Sequence, residues 1–220
     1  MFKQYKRTLI ITSLILLIPV LVGFLLWDQL PDIMPTHWGI NGEVDDWSSK
    51  PFAVFGLPSL MLVMQWVCVL ASTADPKYKN YNPRMLKLVL WICPAISLIM
   101  NGMVYAAALG YEIPIETIMP LLVGAMFVII GNWLPKCRQT YTMGIKLPWT
   151  YASEENWNAT HRFGGKVWVA GGIVTMLTAF FGNFWILIVI LAVMVAAPTI
   201  YSYLYYRDHE KGKNCGNNES

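Results

Sequence analysis

The groups able to do chemistry are few. His37 shares a stretch with Asp32, Glu43, Asp45 and Asp46, and metal binding is the first chemistry such a mixture suggests. Hard and borderline metals want three or four convergent donors. One imidazole with neighbouring acids in a single loop falls short of that, so no metal is expected, and His37 beside Trp38 reads as a hydrogen-bonded residue. His161 stands alone in a second polar stretch, with no serine or cysteine placed as a nucleophile beside it. The four cysteines, Cys68, Cys93, Cys137 and Cys215, form no CxxC pair, which excludes a Cys-rich zinc site and a disulfide scaffold. Neither catalysis nor a cofactor is expected.

What must position these residues is a membrane-embedded frame. Hydrophobic residues make up 56% of the chain and charged ones 13%, about half the ~25% of a soluble domain. That is too little charge to coat a water-facing surface. The net charge of +3 is small, so direct nucleic-acid binding is not expected. A span needs about 20 mostly apolar residues, and six runs qualify: Thr8 to Trp27, Pro51 to Thr73, Leu88 to Leu109, Thr117 to Pro135, Val167 to Phe181, and Phe184 to Tyr206. The fifth is short and holds Gly171 and Gly172. It pairs with the sixth across a Gly182-Asn183 turn. With the N-terminus inside and the runs alternating, 15 of the 16 Lys and Arg residues fall on the inner side and only Lys50 lies outside. The expectation is an all-α polytopic membrane protein of the cell membrane, a bundle of six transmembrane helices with both termini cytoplasmic. Its parts are an N-terminal helical hairpin over 1–73 with an outer loop, a four-helix remainder over 74–206 with an inner loop at about 136–166, and a tail over 207–220. Together they make one integral membrane domain.

The runs hold no ionisable residue, which counts against a proton-coupled pump or a carrier of charged substrates. The polar residues at depth, Gln65, Asn101, Thr175 and Thr178, read as glue between helices. Gly102, Ala106 and Gly110 form a small-residue row, as do Ala192 and Ala196, suited to packing within the bundle. Three spans followed by three inverted ones is also an inverted-repeat layout, but only Thr36-His37 and Thr160-His161 match between the halves.

Function therefore falls to the two textured loops. In the outer one, Leu30 to Pro51, Asn41-Gly42 suits a tight turn between extended arms. Trp38 and Trp47 would carry the loop onto lipid or protein, and its carboxylates favour a cationic partner. In the inner one, Ser153 reads as an N-cap ahead of Glu154 and Glu155. Trp157, His161 and Gly164 then share one side of a short surface helix. Basic residues with Tyr141, Trp149 and Trp157 could rest on anionic headgroups or dock a cytoplasmic protein.

The segments LPDIMPTHWGINGEVDDWSSK and GNWLPKCRQTYTMGIKLPWTYASEENWNATHRFGG carry a resemblance. The chain closely resembles the SdpI family of bacterial membrane proteins, the first segment being similar to the short domain of unknown function that opens them. The resemblance implies an immunity protein and receptor for a secreted peptide toxin on the outer face. It also implies a partner on the inner face, a cytoplasmic repressor held at the bilayer. The binding candidates are His37, Trp38, Gly39, Asp46 and Trp47 outside. Inside they are Arg138, Tyr141, Gly144, Pro148, Trp149, Trp157, His161 and Arg162. The rival reading is a small-molecule transporter or a purely structural envelope protein.

Overall fold

The computed structural model describes residues 2–77, 80–181 and 184–209. The chain is an all-α polytopic membrane protein whose described residues include one small hairpin of strands. Among the described residues, five helical stretches are long and apolar enough to cross a membrane: Tyr5–Leu25, Phe52–Ala74, Pro83–Ala108, Ile115–Lys136 and Trp185–His209. The remaining apolar run, from Val167, forms the C-terminal half of a longer helix that starts at Glu154. The expected Gly182-Asn183 turn lies outside the described residues.

Contacts gather the chain into two compact units, 1–74 with 83–115, and 75–82 with 116–220. The helix over 83–108 packs with the first unit, and the connector 75–82 packs with the second.

The first unit holds α1 (Phe2–Leu16), α2 (Ile18–Leu25), β1 (Ile33–Trp38), β2 (Val44–Ser49), a π-helical turn (Phe52–Gly56), α3 (Leu57–Ala74) and α4 (Pro83–Ala108). Pro19 has no N–H to give to the carbonyl one turn earlier, and the helix breaks just before it, at Leu17. Gly23 lets α2 come close. A Cβ there would stand 2.6 Å from Val54 and 2.7 Å from the Tyr105 hydroxyl, which itself donates to the Pro19 carbonyl at 2.8 Å. Leu30, Met34, Ala53, Val54, Val104 and Tyr105 form a buried cluster beneath the hairpin. The hairpin turn spans three residues, 40–42. Gly39 N–H donates to the Glu43 carbonyl at 2.8 Å, Gly42 N–H to the Gly39 carbonyl at 3.0 Å, and Gly42 takes φ 76°. Gly42 thus supplies the left-handed residue that a three-residue hairpin needs.

Two expectations about packing are corrected. Among the polar residues at depth, Gln65 does join helices, donating from α3 to Thr12 and Ser13 of α1 at 3.0 and 3.2 Å. Asn101, Thr175 and Thr178 instead bond to carbonyls of their own helices. The row at Gly102 is not a packing seam. A Cβ on Gly102 meets nothing within 4 Å, and Gly110 (φ 88°) is a helix cap. Tyr111 N–H reaches the Ala106 carbonyl and Gly110 N–H the Ala107 carbonyl, both at 3.0 Å, the paired bonds of a Schellman end. Ala192 and Ala196 are exposed as well.

The seam lies in the second unit, among α5 (Ile115–Trp133), a 3-10 turn (Leu134–Lys136), α6 (Pro148–Ala152), α7 (Glu154–Thr178) and α8 (Phe184–His209). Gly124 and Gly131 of α5 face Gly172 and Gly165 of α7 in antiparallel order. A Cβ on Gly124 would stand 2.5 Å from the Gly172 carbonyl oxygen, and one on Gly172 would stand 2.6 Å from that of Gly124. For Gly131 and Gly165 the corresponding distances are 2.9 and 2.8 Å. Backbone meets backbone, the geometry of Cα–H···O contacts and full dispersion contact. On the other side of α7, Gly171 receives Met194 of α8, and Trp168 Nε1 donates to the Met194 carbonyl at 3.1 Å. We expect Gly124→Ala or Gly172→Ala to cost about 1–3 kcal/mol. Gly102→Ala should be neutral or stabilise by up to about 1 kcal/mol. Unfolding of the purified protein in detergent, titrated with SDS, measures the difference, and equal losses at all three positions contradict the assignment of the seam.

Candidate functional site

The hairpin is fastened at its base by Lys50. Its N–H donates to the Asp32 carbonyl at 2.8 Å. Its ammonium donates to the Trp27 carbonyl at 3.2 Å, lies 3.3 Å from the Asp32 carboxylate and sits over the Trp27 ring. At the tip the strands bring His37 and Asp45 together at 2.5 Å, and Gly39 leaves room for the same carboxylate. Trp38 is half-buried against the apolar cluster. Asp46 accepts the Trp47 backbone N–H at 2.8 Å, so this carboxylate is spent on its own strand. Trp47 is 55% exposed, with Ile33, Ile40 and Tyr111 also exposed on the same unit. The five outer candidates therefore divide. Trp38 and Gly39 build the hairpin, and His37, Asp46 and Trp47 are presented on it. Among the described residues no three His, Cys, Asp or Glu side chains converge as a metal site.

In the second unit the inner loop folds into a compact knot. Ser153 caps α7 by accepting the Asn156 N–H at 3.2 Å, as its sequence position predicts. The helix that follows is not short and not on the surface. It runs for 25 residues, and Trp157, His161 and Gly164 lie on its buried side. Trp157 and His161 are fully buried, their rings stacked 4.2 Å apart. The indole donates to the Cys137 carbonyl at 2.8 Å. His161 Nδ1 faces the Trp157 carbonyl at 2.7 Å, and Nε2 accepts the Ile145 N–H at 2.8 Å. A carbonyl only accepts and an amide N–H only donates, so the ring is neutral with its proton on Nδ1. Burial pushes its pKa down to about 4, against the opposing pull of the Trp157 carbonyl. Gly144, at φ 116°, lies where a Cβ would strike His161 Nε2 and Trp157.

Other side chains lock the knot, and the sequence reading passed over most of them. Asn156 is fully buried. Its Oδ1 accepts from Thr160 and Ser202, both at 2.9 Å, and its Nδ2 donates to the Ser202 carbonyl. Trp149 Nε1 donates to Ser202 Oγ at 2.8 Å, joining α6 to α8. Asp75 is 3% exposed and accepts five hydrogen bonds. Burial would raise its carboxyl, but donors on Lys77, Tyr81, Thr142 and Tyr141 outweigh that and hold it below the usual carboxylate range. One signal could have found it: Asp75 is the lone carboxylate in a segment carrying Lys77, Lys79, Arg84 and Lys87. Cys137 is buried, its thiol pushed up to about 11 by that burial, which makes it a poor nucleophile.

The eight inner candidates therefore also divide. Gly144, Trp149, Trp157 and His161 are structural parts of the knot. Arg138, Pro148 and Arg162 are exposed, and Tyr141 is half exposed while stacked on Tyr151 at 5.4 Å.

These two elements coincide with what the chain is similar to. A profile described as the SdpI/YfhL protein family matches residues 136–202, from the start of the knot to the serine that closes it. A second, described as Domain of unknown function (DUF1648), matches residues 14–62, which frame the hairpin. The chain is 31% identical over 204 residues to the Immunity protein SdpI of Bacillus subtilis (strain 168), covering 90% of this chain and 95% of that protein. The chain belongs to the SdpI/YfhL family. No solved structure matches it. Both signature segments of this family member thus fold as ordered elements: a hairpin sewn by Lys50, and a knot sewn by Asp75, Asn156 and His161.

His161 gives the knot a pH window. Its folded pKa lies below its unfolded value of 6.5, so folding favours the neutral ring. That contribution is complete above pH 6.5 and is lost as pH falls toward 4. Asp75 is also depressed, but below the ordinary carboxylate value, so its own loss begins at lower pH. We expect the melting temperature of the detergent-solubilised protein to fall between pH 6.5 and 4, with about 2–4 kcal/mol at stake. His161→Gln should flatten that slope, and a slope equal to wild type contradicts the assignment.

Proposed function

We propose that this family member is a membrane immunity protein and receptor for a secreted peptide toxin, with the hairpin as sensor and the knot as output toward a cytoplasmic repressor. The observation that carries the reading is the 31% identity to an immunity protein over 90% of the chain. Chemistry supports the assignment of roles. The hairpin offers an exposed indole and apolar side chains among carboxylates, features that suit capture of a peptide. The rim of the knot offers Arg138 and Arg162, whose planar guanidinium groups suit carboxylates on a folded partner. In this reading the hairpin lies outside the cell and the knot inside, with six spans and both termini cytoplasmic, an orientation supported by the 15 of 16 basic residues it leaves on the inner side. The mechanism is a population shift. Toxin binds one state of the helices better, and the knot then presents Arg138, Tyr141 and Arg162 differently. A coupling of about 1–3 kcal/mol suffices for such a signal. The chain acts by binding, without turnover, cofactor or resident metal.

The test is survival. Expressed in a toxin-sensitive bacterium, the wild-type chain should protect against a related secreted peptide. Trp47→Ala should lose protection, and Arg162→Ala should keep it while losing recruitment of the repressor to the membrane. A reporter enzyme active only outside the cytoplasm should work when fused in the hairpin and fail at Ser153. A wild-type chain that neither protects nor recruits returns the protein to the transporter or envelope reading.

A further inference from the structure

Asp75 is the carboxylate that neither family match accounts for. It lies outside 14–62 and 136–202, in the connector that leaves α3 and enters α4. Its Oδ1 accepts the Lys77 N–H at 2.8 Å and closes a local turn. Its Oδ2 accepts the Tyr81 hydroxyl at 2.9 Å, the Tyr141 and Thr142 N–H groups at 2.9 and 3.0 Å, and the Thr142 hydroxyl at 3.1 Å. Two consecutive backbone N–H groups aimed at one oxygen form a small anion-binding nest, here filled by the protein's own side chain. Without that carboxylate the Tyr141 and Thr142 N–H groups would lie part-buried without this acceptor. The rest of the connector repeats the attachment. The Lys77 ammonium donates to the Gln139 side-chain oxygen and lies 5.3 Å over the Tyr141 ring, and Asn80 donates to the Gln139 carbonyl at 3.0 Å. Gln139 Nε2 in turn donates to the Thr150 and Tyr151 carbonyls, both at 2.9 Å.

The loop held in this way is the one that places Arg138 and Tyr141. It closes over Cys137, whose thiol is buried against the Arg138 and Met143 carbonyls at 3.6 and 3.7 Å. We propose that Asp75 is a latch: a positioning residue whose carboxylate holds loop 137–147 closed, so that the α3–α4 connector governs whether the Arg138 and Tyr141 face is presented or released. Both helices that enter the connector also reach the hairpin within the first unit. β2 runs through the π-helical turn into α3, and β1 packs on α4. A change at the hairpin that shifts α3 along α4 therefore pulls on the latch through the chain itself. This consequence for output rests on the receptor reading above, but the latch does not.

The buried thiol reports the latch directly. In the full chain in membrane vesicles, with Cys68, Cys93 and Cys215 changed to serine, a membrane-permeant maleimide labels Cys137 only when the loop opens. We expect Asp75→Asn to raise the labelling rate about tenfold or more, and Thr142→Val, which removes one donor, to raise it about fivefold. Asp75→Glu should return part of the protection. An Asp75→Asn chain that labels at the parent rate overturns the proposal. If that variant does not accumulate, Thr142→Val decides alone, and parent-like labelling there overturns the proposal equally. Repressor recruitment, scored alongside, separates the two readings. Recruitment that changes together with labelling supports both. A parent chain that recruits nothing removes the receptor reading, while the labelling rates still decide the latch.

Discussion

The second unit depends on a contact between two backbones. Gly124 and Gly131 of α5 admit Gly172 and Gly165 of α7 so closely that no side chain fits between them. In hydrocarbon there is no water to drive helices together, so close approach and the dispersion it gathers must do so. This seam fixes the axis of α7, and the rest follows from that axis. The polar first half of the helix is carried to the end of α5, where the loop must fold over it. Trp157 and His161 then face inward because α7 has no freedom to turn them out.

At that end the protein changes its means of support. Loop 137–147 forms no ladder with a neighbour, so its N–H groups need other acceptors. Buried side chains provide them. His161 takes the Ile145 N–H, Asp75 takes those of Tyr141 and Thr142, and Thr150 takes that of Leu147. Each acceptor sits on a different segment, so the loop's fold is a property of the whole knot. Networks of this kind specify one arrangement because a half-satisfied version is worse than none.

Much of this frame was legible in the sequence. The apolar runs and the lopsided basic residues announce a polytopic membrane protein, and Asn41-Gly42 between alternating residues announces the hairpin. What was not legible depends on partners distant in sequence. The row at Gly102 has the familiar four-residue spacing, yet it faces open space. The working glycines repeat every seven residues and become meaningful only when two helices are laid side by side. Trp157 and His161 looked like surface groups because their neighbours are polar. Only the carbonyls of Cys137 and Trp157 and the Ile145 N–H explain how an indole and an imidazole can be buried there. Asp75 escapes a reading of the sequence because its partners in the loop, Tyr141 and Thr142, lie more than sixty positions away.

The hairpin has one further consequence, for molecules crowded side by side in a membrane. A two-stranded sheet has two free edges, and a free edge is a template on which another strand can add, copy after copy. Here that template is spoiled. Pro35 has no N–H to offer, the register shifts on either side of His37, and the Asp46 carboxylate already occupies the Trp47 N–H. Neighbouring chains therefore find no continuous row of donors and acceptors to extend, and the exposed strands stay paired only with each other.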